Sequence, residues 1–421
     1  MFSSIYKNFK TSPDINIFSI LVCLLPIALI TGPAIPDIII SLTALFFLIK
    51  SFYKKFWSYY QNPIVYGIII FCIYSIFRSL TSDLPLESLK NEGSIFYFRY
   101  LFFGLAIWHL LDNNPNLSKL FFSVSIISLI IVICDGFYQY FTGTNILGYK
   151  KFSDYRLTGL FGDEPIIGRY ISYLSIFSFF LYFQIFKTNR ISIALSILLL
   201  VVCEVTVFIT GERSPLFSLV LFSVLLLIFA PYFRIYRILG VGLSAIIISF
   251  IIQLNPVAKD RMVNETITEM EGTYFKFLPY SKLHEEHYIG SLKMFIDKPI
   301  FGIGTNLFRF KCTEEKYVYQ RSCTSHPHHY YLQIMAELGI IGFVFLLSFY
   351  FSLFFLIMKQ FYNQYIRKKP KISTFSNFTI VLILFVFWWP IIPHMSFYNN
   401  WNNVFLMLPL GYFMKYLYGK E

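Results

Sequence analysis

The stretch ISIALSILLLVVCEVTVFITGERSP, residues 191–215, decides the fold. From Ile191 to Thr210 the only charged residue is Glu204. A run of about 20 apolar residues is what a helix needs to cross a bilayer. Gly211-Glu212-Arg213-Ser214-Pro215 then turns the chain, and a second apolar run over 214–230 begins at once. Two such runs joined by so short a polar turn form a helical hairpin in a membrane.

The rest of the chain agrees. It has 421 residues, 56% of them hydrophobic and only 14% charged, with a mean hydropathy of +0.61. That is too little polar surface for a soluble protein of this length. Apolar runs fall at about 15–32, 37–53, 63–80, 93–111, 118–141, 167–186, 191–210, 214–230, 238–254, 330–357, 376–393 and 404–418. The expectation is therefore an all-α polytopic membrane protein, one transmembrane domain over 1–421. It has about twelve transmembrane helices and one long external loop, 255–329, that contains short helices and joins the ninth and tenth spans. The first run has no small-residue cleavage site and reads as a retained span.

The net charge of +12 does not point to nucleic acid, because no basic, aromatic-interleaved soluble segment accompanies it. It fits loops that hold helix ends at the cytoplasm. With twelve alternating spans, Lys7 and Lys10, Lys50 to Lys55, Lys187 with Arg190, Arg234 with Arg237, Lys359 to Lys371, and Lys415 with Lys420 fall on one side. Both termini are then cytoplasmic. The opposite, external face receives Arg156, Glu212-Arg213, the long loop and the Asn-rich turn at 399–403.

That face also receives the most unusual stretch, Cys323-Thr324-Ser325-His326-Pro327-His328-His329-Tyr330-Tyr331-Leu332-Gln333. Three of the seven histidines lie within four residues of it. Pro327 disfavours helix at His326, so a helix starts near His328 to Tyr330. A helix N-terminus attracts anions and lowers the pKa of a nearby histidine. A neutral histidine there is a base for a hydroxyl group; the alternative is a cluster that snorkels to the interface. Glu337 and Gly339 further on fit an orienting carboxylate and a close helix contact, or packing alone.

Arg213 has two readings. It pairs with Glu212 at the interface, or it grips a phosphate at a cavity mouth, which its planar fork suits. Tyr280 to Phe295 has the pattern of an amphipathic helix, with His284 and His287 three residues apart. Gly302-Ile303-Gly304 reads as a turn before it reads as an anion nest. Cys312 and Cys323 lie in the external loop, where a disulfide is the default. Zinc on these cysteines with His326 and His328 is the alternative, although the spacing matches no common zinc pattern. Cys23, Cys72, Cys134 and Cys203 sit inside apolar runs. The chain has no nucleotide-binding glycine loop, no Asp-x-Asp pair and no serine elbow. No cofactor is expected, and any transfer chemistry would use arginines in place of a metal.

Three segments carry a family resemblance: Thr210-Gly211-Glu212-Arg213-Ser214, the run from Met294 to Gly304, and His326 to Gln333 with Glu337 to Gly342. Taken in order they resemble the O-antigen ligase and O-antigen polymerase superfamily of bacterial envelope proteins, most clearly over 150–345. The resemblance implies a GT-C-like fold in the inner membrane with its active site on the periplasmic face. It implies metal-independent transfer of a glycan from undecaprenyl diphosphate to a sugar hydroxyl. The acceptor is lipid A–core in a ligase or another lipid-linked glycan in a polymerase. Arg213 matches the arginine that such enzymes use on the diphosphate. His328 matches the proposed base, with His326 and His329 beside it, and His329 stands where Asn is usual. Where the family has a second arginine this chain has Lys282 or His284; Arg261 and Arg156 are the substitutes. A carrier or flippase for a lipid-linked sugar is the reading from another class. It would need polar groups in mid-span, for which Glu204 is the main candidate.

Overall fold

The computed structural model describes residues 12–90, 93–274, 280–367 and 375–419. Lys7, Lys10, Lys368, Lys369, Lys371 and Lys420 lie outside them. The described chain is α-helical without a sheet. Two isolated bridges, Thr144 with Lys150 and Ser153 with Arg156, occur in one loop.

The main helices are α1 (Pro13–Cys23), α2 (Ala34–Lys54), α3 (Pro63–Leu80), α4 (Phe98–Asn113), α5 (Leu117–Thr142), α6 (Ile167–Ile185) and α7 (Arg190–Ile209). They continue with α8 (Arg213–Phe229), α9 (Arg234–Leu254), α10 (Glu265–Glu271), α11 (Lys282–Asp297), α12 (Tyr330–Phe361), α13 (Phe375–Phe387) and α14 (Asn400–Tyr418). Local chemistry sets several starts. Asn62 accepts from the Val65 N–H ahead of Pro63 in α3. Asn189 with Ser192 and Ser281 with His284 form capping boxes at α7 and α11, each satisfying amide groups that a helix start leaves orphaned.

The expected twelve spans are not what the structure contains. Among the described residues, seven stretches are long and apolar enough to cross a membrane: 34–54, 63–80, one between 85 and 113, 117–142, 190–209, 234–254 and 330–366. An eighth is added if α1 and the Leu25–Thr31 turn, bent by 40° at Leu24, count as one span. Length removes two of the others. At 1.5 Å per residue, α13 is about 20 Å long and α8 about 26 Å, short of a core of about 30 Å. Composition removes α6 and α14. α6 carries Arg169, Gln184 and several serines and tyrosines, and α14 opens with three asparagines. Both are enclosed by protein almost throughout, so protein rather than lipid sets their polarity. The assignment of both termini to the cytoplasm assumed twelve crossings and loses that support.

α6 and α14 form the middle of the bundle, whereas α9 lies at its edge with only Arg237, Gly240 and Ser244 buried. These three face α7. Glu204 of α7 accepts hydrogen bonds from Arg237, from Ser223 of α8 at 2.9 Å and from Ser244 at 2.6 Å. A Cβ on Gly240 would come within 2.6 Å of Ile197, so α9 packs close to α7. The mid-helix carboxylate is thus saturated by its own neighbours.

The long loop between α9 and α12 docks on the ends of the bundle. Its 299–304 segment threads against a break in α12, where Gly339 leaves helical geometry at φ +66°. Ile303 N–H donates to Ala336 O, Gly304 N–H to Glu337 O and Ile340 N–H to Pro299 O, each at 2.9 Å. A Cβ on Gly339 would sit 2.2 Å from Ile300 O, so only glycine fits. Arg78 of α3 seals the segment, donating to Phe301 O and Gly302 O at 2.7 and 2.9 Å. Tyr74 donates to the freed Leu338 carbonyl at 2.8 Å. The Glu337 carboxylate accepts from the Asn306 and Phe308 amides, so it holds this loop and does not orient the histidines.

Candidate active site: a histidine corner beside an arginine cluster

Six of the seven histidines gather where α11, the start of α12 and the loop after α13 meet. The His328 ring centroid lies 4.1 Å from His326, 5.5 Å from His287 and 5.6 Å from His284. His329 lies 5.7 Å from His394, whose ring stacks on Tyr330 at 4.0 Å. α11 supplies two of the six. Turn i to i+3 of that helix puts His284 and His287 on one face, and both face His328. The 326–329 turn is braced from behind by the Cys312–Cys323 disulfide, with Cα atoms 4.9 Å apart. His287 Nδ1–H also donates to the Ser322 carbonyl at 3.1 Å.

Burial, followed by mutual repulsion, lowers the basicity of the group. His284 is brought down to about 3, His326 to about 2 and His328 to about 4. His329 is also brought down to about 4, by burial. His394 falls well below its ordinary value for the same first reason. All are neutral near pH 7 and able to accept a proton.

They are not equally free to do so. His329 is the N-cap of α12: its Nδ1 accepts from the Leu332 amide at 3.3 Å, which leaves Nε2 to donate to Pro390 O at 2.9 Å. Both nitrogens are committed to structure. This is the capping role that Asn fills at helix starts. His284 Nδ1 is engaged with Ser281 Oγ at 2.8 Å and His326 Nδ1 with Ser325 Oγ at 2.9 Å. His328 is half-buried; its ring meets the His394 backbone and makes no other hydrogen bond to protein among the described residues. Its backbone has φ +55°, a left-handed conformation that a residue with a Cβ adopts at a cost. The His394 amide, donating to His328 O at 2.7 Å, holds it there.

The second group surrounds the α7–α8 turn. Gly211 has φ +74°, and a Cβ there would lie 2.2 Å from Tyr155 O; the turn is tight because the 144–165 loop presses on it. Arg213, first residue of α8, donates to Glu269 at 2.5 Å, to Glu265 at 3.2 Å and to Arg261 O at 2.9 Å. Arg261 binds Glu265 at 2.7 Å and reaches Gly211 O at 3.3 Å. Arg156 touches Pro165 O at 3.4 Å. Burial lowers its pKa, while Glu212 opposes that and Arg261 and Arg213 add to it. Glu212 does not pair with Arg213 in an ion pair. Its carboxylate accepts the Gly168 amide at 2.5 Å at the start of α6, and burial raises it to about 7. A cavity of about 140 Å³ lies beside Gly211, Tyr155 and Arg261.

The two groups are adjacent. Arg213 is among the charges that depress His284, and Arg169 of α6 is among those that depress His326, His328 and His394. Of the residues expected from sequence, Arg213, Arg261, Arg156 and Glu212 come together, as do His284, His326, His328 and His329. Lys282 does not join them; it is exposed on the side of α11 that carries the Glu286–Arg321 ion pair. Sequence reasoning missed Arg169, His394, Glu265 and Glu269. Arg169 carried a signal, being a charge inside the 167–186 apolar run; His394 was a lone histidine in a proline-rich turn. Among the described residues no three His, Cys, Asp or Glu side chains converge to hold a metal.

An apolar groove of about 950 Å³ runs between α3, α12 and α14 and ends at Trp388 and Phe397. Both rings also contact Tyr330, on which His394 stacks. No curated protein matches the chain. Residues 195–347, which hold Arg213, Arg261, His284, His326, His328 and His329, match the family model described as O-antigen ligase.

Proposed function

We propose that this protein is a glycosyltransferase that moves a glycan from an undecaprenyl diphosphate carrier to a sugar hydroxyl, without a metal. The favoured reaction is O-antigen ligation to lipid A–core, with polymerisation of lipid-linked glycans the alternative in the same superfamily. The observation that carries it is the juxtaposition of a neutral His328, bonded only to the His394 backbone, with arginines at the end of a membrane bundle. His328 takes the proton of the acceptor hydroxyl, whose oxygen attacks the anomeric carbon. The bond from that carbon to the phosphate oxygen breaks, and the diphosphate leaves with the electron pair. Arg213, with Arg261 and Arg156, offsets the charge on the leaving group, the role a cation fills elsewhere. The apolar groove suits a hydrocarbon chain held in the bilayer.

The site faces the periplasm of a bacterial inner membrane in this proposal. Lys54, Arg234, Lys359 and Lys415 lie at the other ends of α2, α9, α12 and α14, which by the positive-inside rule is the cytoplasmic side. The saturated Glu204 speaks against a carrier, which needs an exchangeable group in mid-span.

The test is complementation of a deletion strain with Arg213→Ala and His328→Ala, with protein amount measured in parallel. Loss of surface glycan at normal protein level supports the proposal, with an expected drop of about 10²–10⁴-fold for the base. Normal glycan display in both variants refutes it. In the deletion strain, accumulated lipid-linked polymer indicates a ligase, and core bearing a single repeat unit indicates a polymerase.

A further inference from the structure

Arg213 and Arg261 are not unoccupied cations. Glu265 and Glu269 already hold them, so a diphosphate binding there must displace carboxylates. Arg169 is differently placed. It lies in the first turn of α6, is 9% exposed, and forms no ion pair among the described residues. Its guanidinium sits 5.7 Å from the Tyr173 ring and hydrogen-bonds the Tyr173 hydroxyl, which uses only part of a five-donor fork. The α6 start is pressed onto the α7–α8 turn, because Gly168 leaves room: a Cβ there would come within 2.7 Å of Thr210 Oγ1 and 2.9 Å of Glu212 Oε1. Arg169 therefore stands between the arginine cluster and the histidines.

The groups on its histidine side include polar atoms without partners. His394 is 1% exposed and neither ring nitrogen has a hydrogen bond of good geometry; His326 Nε2 is buried and unpaired as well. Burying such groups unmatched is costly. Arg169 lies close enough to His326 and His394 to act on both electrostatically, and together with the unpaired His326 Nε2 it makes a site for an anion with several acceptor oxygens.

We propose that Arg169 is a second anion-binding residue of this site, taking one phosphoryl group of a polyprenyl diphosphate on the side of His326 and His328 while Arg213 and Arg261 take the other. This rests on the glycosyl-transfer proposal above and adds to it the residue that makes the site selective for two phosphates over one. A purely structural Arg169, stacked on Tyr173, would set the stability of α6 and leave that selectivity unchanged.

The experiment measures binding of undecaprenyl diphosphate and undecaprenyl monophosphate to the full chain in lipid nanodiscs, with melting temperature recorded for each variant. Wild type is expected to prefer the diphosphate. Arg169→Gln should weaken diphosphate binding about 10- to 100-fold, the range of a lost hydrogen bond to a charged group, and abolish the preference. Arg169→Lys keeps the charge but not the fork and should lose part of the preference; it decides the matter if Arg169→Gln does not fold. An unchanged preference in whichever variant folds overturns the inference alone. Wild type binding neither lipid overturns the glycosyl-transfer proposal together with it.

Discussion

Two carboxylate–arginine groups are built on the α7–α8 hairpin and differ in kind. In the middle of α7, Glu204 is enclosed by Arg237, Ser223 and Ser244, and Arg237 is fully buried. At the α7–α8 turn, Arg213 and Arg261 share Glu265 and Glu269 at part-exposed positions. The first group is closed: each carboxylate oxygen has a donor, and nothing can enter without breaking the bundle. The second is open, because both its carboxylates come from the loop helix α10, and it borders histidines with unused nitrogens. An ion pair in a membrane protein thus indicates function only when one partner can be exchanged.

The largest effect that tests this contrast is on stability. Arg237→Ala leaves Glu204 uncompensated and should cost about 3–5 kcal/mol, read as a sharp loss of folded protein in the membrane. Survival of that variant at wild-type level would erase the distinction. Next comes pH. The folded pKa of His328 is depressed to about 4 from an ordinary 6.5, so the base form persists as pH falls. kcat/KM, which reports the free enzyme, should stay flat down to about pH 5 and decline near 4. The unfolded chain takes up protons first below 6.5, so histidine burial stabilises fully above that value. The melting temperature should then drop as pH goes from 6.5 toward 4. An acidic limb near 6.5 would mean an exposed, ordinary histidine. A smaller effect is expected when the open group is loosened: Glu265→Gln with Glu269→Gln removes the competitors for Arg213 and should lower KM for the lipid donor several-fold. The smallest is Lys282→Ala, expected to change activity less than twofold because Lys282 points away from the corner.

The membrane class and the positions of the helices were legible because hydrocarbon demands long apolar runs. The number of crossings was not, for the reason α6 and α14 illustrate. A helix wrapped by other helices needs no lipid-facing residues, and a short apolar helix such as α13 looks like part of a span when turn residues adjoin it. The histidine corner was legible from the density at 326–329, and the amphipathic pattern from Tyr280 to Phe295 marked the helix that brings His284 to it. His394 was not legible because a single histidine gains meaning only from its neighbours in space. Arg169 was not legible because a single charge in an apolar run does not say what it faces. The role of His329 needed the cap geometry, since three adjacent histidines look alike until one is seen bonded on both sides.

The break at Gly339 separates the short arm of α12, residues 330–338, from the long arm that faces the hydrocarbon. The short arm is tied to the 299–304 segment and through it to Arg78, while the long arm is tied to that segment only at its first residue, Ile340. Bilayers differ in thickness, and long helices respond by tilting. With this hinge between them, the long arm can change its inclination while the histidines keep their places. Turnover should therefore be insensitive to acyl chain length in reconstituted membranes.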